Sequence, residues 1–267
     1  MASRLSYVRR VSVNASCEDC SVSSGDAAYY RYDLALVHHQ GFGFHAAACA
    51  PGIVNVLVPV LARNGLVLEL GCGSGLLTRA LVAAGHRLIA TDASPAMLEI
   101  ARGFLDDRTE VRRLTLPDDP LPEADAIVAI GHPLNYLPNQ DAFDRALTAI
   151  ARALRPGGVI AFDVCDLQWG RARHGAAPFA KSEPDWAIIT EFSTPSPDRF
   201  IRDITVFLPN HDGSWRRDRE RHENVLVDAS RIPTLFAKQG IDAQVNLSFG
   251  AETLPEGLLA VTGQRPA

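Results

Sequence analysis

The sequence lacks the features that mark several classes of protein. Only five of its 267 residues are cysteine, an odd and scattered set, so we expect free thiols. No hydrophobic run reaches the length that spans a membrane. The three arginines near the start (Arg4, Arg9 and Arg10) are not followed by an apolar stretch of signal-peptide length. These absences predict a cytoplasmic protein that does not interact with a membrane.

Positive charge and paired metal ligands are also scarce. Lys and Arg number 26 against 31 Asp and Glu, and the formal net charge of −5 argues against a nucleic-acid-binding surface. Cys17-x-x-Cys20 has no second Cys or His pair at metal-binding spacing, so we predict no metal site. What remains is an ordinary globular composition, 47% hydrophobic and 21% charged, in a chain long enough to bury one sizeable core.

The most informative segment is a glycine-rich loop that follows a short apolar strand. Residues 66–75 read Leu-Val-Leu-Glu-Leu-Gly-Cys-Gly-Ser-Gly, with Gly71, Gly73 and Gly75 at alternate positions. Glycines so placed allow a tight turn and let a ligand approach the backbone. The pattern matches neither the dinucleotide fingerprint nor the P-loop, which requires Gly-Lys-Ser/Thr. A glycine loop without a phosphate-binding lysine suits a nucleoside that carries no phosphate.

The next predicted strand ends at an acidic residue that suits a ribose. Residues 87–91 are mostly apolar and lead into Asp92. In dinucleotide-binding folds an acid about 20 residues beyond the glycines accepts hydrogen bonds from ribose hydroxyls. The alternative role for Asp92 is to cap the helix that begins near Pro95, although Ser94 is the better cap. We therefore predict that Asp92 binds a ribose.

Strands and helices alternate through the middle of the chain, which predicts a parallel sheet with right-handed crossovers. The predicted strands lie near 66–70, 87–91, 109–114, 125–130 and 158–163, and the predicted helices at 26–40, 51–63, 74–84, 95–105 and 139–154. Residues 166–184 show no clear period. Beyond them, an inserted antiparallel unit and a closing helix with two strands are predicted at 186–194, 199–208, 214–227, 229–238, 241–248 and 257–264.

Four motifs in this order resemble those of the class I S-adenosylmethionine-dependent methyltransferases. They lie at residues 69–75, 91–98, 125–131 and 154–163. The resemblance implies an α/β fold with a Rossmann-like seven-stranded mixed sheet, mostly parallel with the last strand antiparallel, and helices on both faces. It implies an enzyme with S-adenosyl-L-methionine as cofactor and S-adenosyl-L-homocysteine as product. The expected organisation is a flexible arm, a methyltransferase core in two segments and an inserted β lid, at residues 1–25, 26–165 with 228–267, and 166–227.

The resemblance also implies which residues contact the cofactor. It implies that Glu69 supports the glycine loop and the cofactor's amino group, and that Ala93 and Met97 lie near the adenine. The family usually has an acidic residue at the end of the third strand that contacts the adenine amino group. In this sequence the corresponding position falls near Thr115 and Leu116, and the acid is absent. The predicted cofactor-binding residues are Tyr32, Glu69, Gly71, Cys72, Gly73, Gly75, Asp92, Ala93, Met97, Thr115, Leu116, Gly131 and His132.

Acceptor-binding residues are predicted after the fourth strand, in the N-terminal helix and in the inserted unit. His132 is either a general base or a ring that packs on the cofactor, and the sequence does not decide between the two. His222 is a second candidate base, because strand alternation puts it on the same face as Glu220. The predicted catalytic residues are thus His132 and His222. The predicted substrate-binding residues are Tyr32, His38, Asn135, Glu220 and His222.

Together these patterns predict methyl transfer to the nitrogen or oxygen of a small polar metabolite. The insertion after the fifth strand resembles the lid of glycine and sugar-amine N-methyltransferases, which favours a small acceptor over a nucleic acid or another macromolecule. A homodimer is compatible with the sequence. Two alternatives stay open: S-adenosylmethionine-dependent chemistry without methyl transfer, such as an intramolecular cyclisation, and a non-catalytic module that only binds the cofactor.

Overall fold

The computed structural model describes residues 29–267, in which eight α-helices and eleven β-strands follow one another. The predicted arm at residues 1–25, which includes Cys17 and Cys20, lies outside the described residues. The helices are α1 (Tyr32–Gly41), α2 (Phe44–Val56), α3 (Val58–Ala62), α4 (Leu76–Ala83), α5 (Pro95–Phe104), α6 (Gln140–Ala153), α7 (Leu167–Ala172) and α8 (Ile232–Ala237). The strands are β1 (Leu66–Leu70), β2 (Arg87–Asp92), β3 (Glu110–Arg113), β4 (Ala124–Ala129), β5 (Leu154–Cys165), β6 (Phe179–Glu183), β7 (Trp186–Ser196), β8 (Arg199–Pro209), β9 (Trp215–Val225), β10 (Asp242–Asn246) and β11 (Leu258–Gln264).

Seven strands form one mixed sheet in the order β10-β11-β5-β4-β1-β2-β3. Neighbouring strands are parallel from β5 to β3, whereas β11 runs antiparallel to both β5 and β10. The central strands are short and apolar, and four of the five residues of β1 are buried, as expected for a parallel sheet covered on both faces. The predicted Rossmann-like sheet with an antiparallel last strand is confirmed.

Helices cover this sheet on both faces, because successive side chains of each strand point to opposite sides. Leu68 and Leu70 of β1 join the buried cluster formed with α6 and α8, while Val67 joins the cluster formed with α2 and α4. Burying a side chain of this size contributes about 1.5–3 kcal/mol. The two clusters therefore hold the ends of the central strands in fixed positions.

A second sheet of four antiparallel strands, in the order β6-β7-β8-β9, lies between β5 and α8 in the chain. Helix α1 packs on it, since Leu34 and Val37 share a buried cluster with Trp186. The two are also joined by the carboxylate of Asp33, which accepts two hydrogen bonds of 2.8 Å from Arg216 of β9. The predicted antiparallel insertion is confirmed as an element of the fold.

Residues 166–184, where no period predicts an element, contain α7 and β6. The short helix α7 begins at this point because the carboxylate of Asp166 accepts hydrogen bonds from the backbone N–H groups of Gln168 and Trp169. Strand β6 is mostly exposed and polar, so it lacks the apolar alternation that marks a strand in sequence. It forms because it pairs with β7.

The helix predicted at residues 51–63 also differs from the structure. Helix α2 begins at Phe44 and holds Pro51 in its interior, and a separate helix α3 follows with Pro59 in its first turn. Proline favours the first turn of a helix, which is why Pro51 indicates a start. Packing overrides this preference, because residues on both sides of Pro51, including Ile53, are buried against the sheet.

The sheet gathers the predicted functional segments at one edge. The carboxyl ends of parallel strands lie together there, which is where ligands bind in open α/β sheets. The glycine loop follows β1, Asp92 ends β2, and a 3₁₀ turn (Pro133–Tyr136) follows β4. The inserted unit begins after β5, at the same edge.

Candidate active site

One cavity of about 610 Å³ opens at this edge of the sheet, and its volume is in the range that binds small molecules. Its walls come from α1 and α2, the glycine loop with the end of β2, the segment after β4, and side chains of α7 and β8. The sequence-predicted residues that line it are His38, Glu69, Gly71, Cys72, Gly73, Asp92, Ala93, Met97, Thr115, Leu116, Gly131 and His132. Those that do not are Tyr32, Gly75, Asn135, Glu220 and His222.

The glycine loop has a backbone that glycine adopts more easily than other residues. Gly71, Gly73 and Gly75 have φ angles of +66°, +54° and +84°, in the left-handed region. A Cβ at Gly71 would lie 2.4 Å from the Cβ of Pro133, whereas a Cβ at Gly73 would meet only the Sδ of Met97, at 3.8 Å. Gly71 is therefore required for packing, and Gly73 leaves its backbone open to the cavity.

Glu69 places a buried carboxyl group beside the glycine loop. Its side chain is 2% exposed and accepts a 2.7 Å hydrogen bond from Oγ1 of Thr78. Burial raises the pKa of Glu69 from 4.5 to about 7. A carboxyl group in this state gains strongly from a positively charged partner, such as the ammonium group of an amino-acid ligand.

Asp92 joins the end of β2 to the glycine loop. Its Oδ2 accepts a hydrogen bond from the backbone N–H of Gly73 and its Oδ1 accepts one from Ser94, both of 2.8 Å. The cap of α5 is Ser94, whose hydroxyl accepts from the N–H of Met97. A carboxylate oxygen has more than one lone pair, so Asp92 can also accept from a ligand hydroxyl.

His132 lies after β4 with a backbone that few non-glycine residues adopt. Its φ of +49° is left-handed, and its N–H donates a 2.6 Å hydrogen bond to Oδ1 of Asp163. The ring stacks on Tyr136 with centroids 5.8 Å apart, and its Nδ1 has no partner among the described residues. Burial and the positive charge of Arg202 lower the pKa of His132 to about 3. A ring with so low a pKa accepts protons poorly, which favours the packing role.

An ion pair that the sequence does not reveal supports this segment. Asp163, in β5, is fully buried and accepts from the backbone N–H groups of Gly131 and His132 and, at 2.6 Å, from Nε2 of His45. Although burial lowers it, the hydrogen bond to Asp163 raises the pKa of His45 to about 10. The imidazolium is therefore charged at neutral pH. The one signal in the sequence is an acid within an otherwise apolar strand, and its partner lies 118 residues away.

Two tyrosines before α1 reach the cavity, but the predicted Tyr32 does not. Tyr29 and Tyr30 line the cavity, whereas Tyr32 is 45% exposed on the outer side of α1. Tyr30 has a φ of +61°, and its hydroxyl lies 3.0 Å from that of Tyr136. Tyr29 and Tyr30, and not the predicted Tyr32, are therefore the tyrosines of this segment that a ligand in the cavity can reach.

His222 and Glu220 form a buried pair behind these tyrosines. Nε2 of His222 lies 2.8 Å from Oε2 of Glu220. The same oxygen accepts from the backbone N–H of Tyr30, and Oε1 accepts from that of Arg31. The ring of His222 lies 4.8 Å from those of Tyr29 and Tyr30, and burial lowers its pKa. Strand alternation correctly predicts that Glu220 and His222 share one face of β9. The pair holds the segment before α1, however, and does not line the cavity.

The two remaining predicted acceptor residues have different surroundings. Asn135 is buried and bridges the backbones of Cys165 and Val225, so it joins β5 to the second sheet outside the cavity. His38 lines the cavity, and burial with the charge of Arg202 lowers its pKa to about 4. Of the two, only His38 can contact a ligand in this cavity.

Arg202 is a cavity residue that the sequence does not single out. It comes from β8, and its Nη2 donates to the hydroxyl of Tyr136 and, at 3.4 Å, to Oδ1 of Asn224. Strand alternation puts it on the face of β8 that also carries the buried Phe200 and Ile204, so a charge among apolar residues is the one signal in the sequence. Only the fold shows that this arginine faces a cavity.

Two kinds of site are not found in the part of the chain that the structure describes. Across residues 29–267, no three His, Cys, Asp or Glu side chains are grouped so that they could hold a metal ion. No helix within the same residues has the length and apolar character needed to cross a lipid bilayer.

Comparison with known proteins relates the central part of the chain to a family. Residues 67–158 match the family model described as a methyltransferase domain. The malonyl-[acyl-carrier protein] O-methyltransferase of Pectobacterium atrosepticum is 39% identical over 109 residues, which are 40% of this chain and 42% of that protein. The chain thus spans less than half the length of this relative.

Solved structures resemble nearly the whole chain in fold. The sugar N-methyltransferase KedS8 from Streptoalloteichus has a TM-score of 0.73 and 22% identity, covering 95% of this chain and 100% of that one. An S-adenosylmethionine-dependent methyltransferase from Clostridium acetobutylicum has a TM-score of 0.71 and 16% identity, covering 87% and 98%. At these identities the likeness concerns the fold.

The sheet order, the glycine loop after β1 and the acid after β2 define a nucleoside-binding α/β enzyme of the Rossmann-like class. The match of residues 67–158 to a methyltransferase domain, which the motifs predict, narrows the expected reaction to methyl transfer. The fold of the chain is that of S-adenosylmethionine-dependent methyltransferases.

Proposed function

We propose that the protein transfers the methyl group of S-adenosyl-L-methionine to a nitrogen or oxygen atom of a small polar metabolite. The observation that carries this proposal is one cavity with two chemically different ends. Glu69, the glycine loop and Asp92 form one end, while aromatic, imidazole and guanidinium groups form the other. The bound cofactor supplies an electrophilic methyl group on its sulfonium, and the residues of the chain hold the acceptor in line with it.

The cofactor is proposed to lie at the end with the glycine loop. A Cβ at Gly131 would meet nothing within 4 Å and one at Gly73 almost nothing, so both glycines border open space where a ligand fits. Glu69 would pair with the amino group, and Asp92 would accept from the ribose hydroxyls. The residues assigned to this role are Glu69, Gly71, Cys72, Gly73, Asp92, Ala93, Met97, Thr115, Leu116 and Gly131, while Gly75 shapes the start of α4.

The acceptor is proposed to lie between α1 and the inserted unit at residues 166–227, with residues 26–165 and 228–267 as the methyltransferase core. Tyr30, His38, Trp169 and Arg202 from these elements face the same cavity. They are polar or aromatic, and of the four only Trp169 also packs against a buried cluster of the central sheet. The similarity in fold to a sugar N-methyltransferase supports a small acceptor.

Calorimetry with S-adenosylmethionine and S-adenosylhomocysteine tests the cofactor site, and product analysis tests the reaction. Release of S-adenosylhomocysteine with a methylated product supports methyl transfer. Release of methylthioadenosine supports the alternative of non-methyl chemistry, and binding without turnover supports a non-catalytic module. Failure to bind either compound at millimolar concentration contradicts the proposal.

Replacing Asp92 with alanine is expected to weaken S-adenosylmethionine binding at least about tenfold. The substitution removes the acceptor for the ribose hydroxyls, and charged hydrogen bonds are worth roughly 1.5–3 kcal/mol each. It also removes the hydrogen bond that holds Gly73 in place. Calorimetry on Asp92→Ala, with the exposed Asp107→Ala as control, measures the effect. An unchanged dissociation constant would exclude a ribose contact.

Replacing His132 with asparagine is expected to lower turnover by less than about tenfold, since general-base catalysis would contribute about 100-fold or more. The reason is the pKa of about 3, which leaves the ring neutral but weakly basic at neutral pH. Asparagine tolerates the left-handed backbone at this position. The measurement is turnover of the wild type and His132→Asn between pH 6 and pH 9. A loss of about 100-fold with cofactor affinity retained would restore the role of base.

A further inference from the structure

Arg202 brings a positive charge to the cavity without a carboxylate partner. Its Nη2 donates only to neutral groups, the hydroxyl of Tyr136 and the amide oxygen of Asn224. Its Nε is buried and has no hydrogen-bond partner within residues 29–267. Although burial lowers its pKa, the interaction with Tyr136 raises it, so the guanidinium remains charged.

The buried carboxylates of this region are engaged elsewhere. Asp163 is held by His45 and by two backbone N–H groups. Glu220 is held by His222 and by two other backbone N–H groups. Neither has an oxygen bonded to Arg202.

The other titratable groups around Arg202 are neutral at neutral pH. Burial raises the pKa of Tyr136 well above its ordinary value, so tyrosinate does not balance the charge. Burial and the positive charge of Arg202 lower the pKa values of His38, His132 and His222. These imidazole rings are therefore neutral, and they cannot balance the charge of Arg202. Arg202 is therefore an unbalanced cation on the acceptor side of the cavity.

An unbalanced cation in a partly dehydrated cavity is costly unless a ligand supplies the opposite charge. The sulfonium of the bound cofactor would be a second cation facing the acceptor, because in the proposed binding mode the carboxylates of Glu69 and Asp92 are engaged by the cofactor's amino group and ribose. A guanidinium with a free Nε matches the planar oxygens of a carboxylate or the single oxygen of a phenolate. The side of the cavity near Arg202 thus favours an anionic acceptor over an ammonium group.

The walls at this end indicate the rest of the acceptor. Tyr29, Tyr30, Tyr136 and Trp169 line the cavity beside Arg202, and aromatic rings pack well on other flat rings. We propose that Arg202 binds the oxygen anion of an aromatic acceptor, an aryl carboxylate or an ionised phenol. This inference rests on the proposed function and narrows its acceptor class.

The expected reaction needs no base in the protein. The anionic oxygen attacks the methyl carbon, an O–C bond forms, the C–S bond breaks, and its electron pair stays on sulfur to give a neutral thioether. A carboxylate gives a methyl ester and a phenolate gives an aryl methyl ether. A phenol loses its proton to solvent on binding beside Arg202, before the transfer. This agrees with the weak basicity of His132.

Calorimetry on the protein saturated with S-adenosylhomocysteine tests the charge preference with benzoate and its neutral analogue benzamide. We expect benzoate to bind at least about tenfold more tightly, because charged hydrogen bonds are the stronger class. The visible absorption of p-nitrophenol, titrated with pH in the same complex, is expected to show a lowered pKa for the bound phenol. Equal binding of benzoate and benzamide, or an unshifted phenol, would overturn the inference without the use of any variant.

Variants then assign the effect to one side chain. Arg202→Met removes the charge and is expected to abolish the preference for benzoate, while Arg202→Lys keeps a charge and retains part of it. The control is Arg219→Met, an exposed arginine on β9, which is expected to behave as wild type. S-adenosylhomocysteine binding that persists in Arg202→Met separates loss of the acceptor site from failure of the proposed function. A preference retained in Arg202→Met would exclude Arg202 as the anion site.

Discussion

The free energy of unfolding is expected to fall by about 1.4 kcal/mol per pH unit from near pH 7 to near pH 10, through the single ion pair of His45 and Asp163. Histidine ordinarily titrates near 6.5, whereas His45 titrates near 10 in the folded protein. Its stabilising effect is therefore fully present below pH 6.5 and is lost as the pH rises through about 10. The total is on the order of 5 kcal/mol, a large part of the stability of a typical domain.

Urea unfolding at several pH values, on the wild type and on His45→Gln, measures this effect. Glutamine can still donate to Asp163 but carries no charge, so the variant should be less stable at pH 7 and should lose the slope. His211→Gln, which removes an exposed histidine between β8 and β9, is the matched control and should follow the wild type. Parallel pH curves for the wild type and His45→Gln would show that the ion pair does not contribute as described.

The second large effect is a gain of stability in Glu69→Gln, by about 3 kcal/mol at pH 8. Burial raises the pKa of Glu69 from 4.5 to about 7 in the folded protein. Below pH 4.5 the carboxyl group is neutral in both the folded and the unfolded protein, and its burial carries no penalty for charge. The free energy of unfolding then decreases as the pH rises from 4.5 through about 7, because the unfolded protein ionises this group more readily than the folded one. At pH 8 the wild type therefore buries an ionised carboxylate, whereas glutamine at this position stays neutral and can still accept from Thr78.

The same substitution is expected to weaken S-adenosylmethionine binding about tenfold or more, because the partner of the ammonium group is lost. Thermal or urea unfolding without ligand, together with calorimetry at pH 8, measures the two effects on one variant. Glu99→Gln, at an exposed position of α5, serves as the control for both. A variant that binds the cofactor as well as the wild type would remove Glu69 from the site, whatever its stability.

The central part of the fold could be predicted from the sequence because its signals are local. Short apolar strands that alternate with helices dictate a parallel sheet, and a glycine loop after β1 with Asp92 after β2 must then meet at one edge. The order of the four motifs adds the resemblance to methyltransferases, and residues 67–158 match the model of a methyltransferase domain. The sequence pattern mispredicts helix boundaries where packing determines them. Helix α2, for example, continues through Pro51 instead of beginning there.

The part of the cavity around Tyr30 and Arg202 was decided by the tertiary structure. The start of α1 decides which tyrosine faces the cavity. Tyr30 precedes this helix and has a left-handed backbone, so helical spacing does not predict where its side chain points. His45 reaches Asp163 across 118 residues, and Arg202 reaches the cavity only because the second sheet packs against α1 and the segment after β4.

The physical reason for this division lies in the range of each interaction. Turns, caps and burial periods act over a few residues, so the amino-acid sequence alone determines the sheet and the glycine loop at its edge. A charge is balanced or left unbalanced by groups that any part of the chain can supply. The pairing of His45 and the isolation of Arg202 among the described residues were therefore settled only when the two sheets came together.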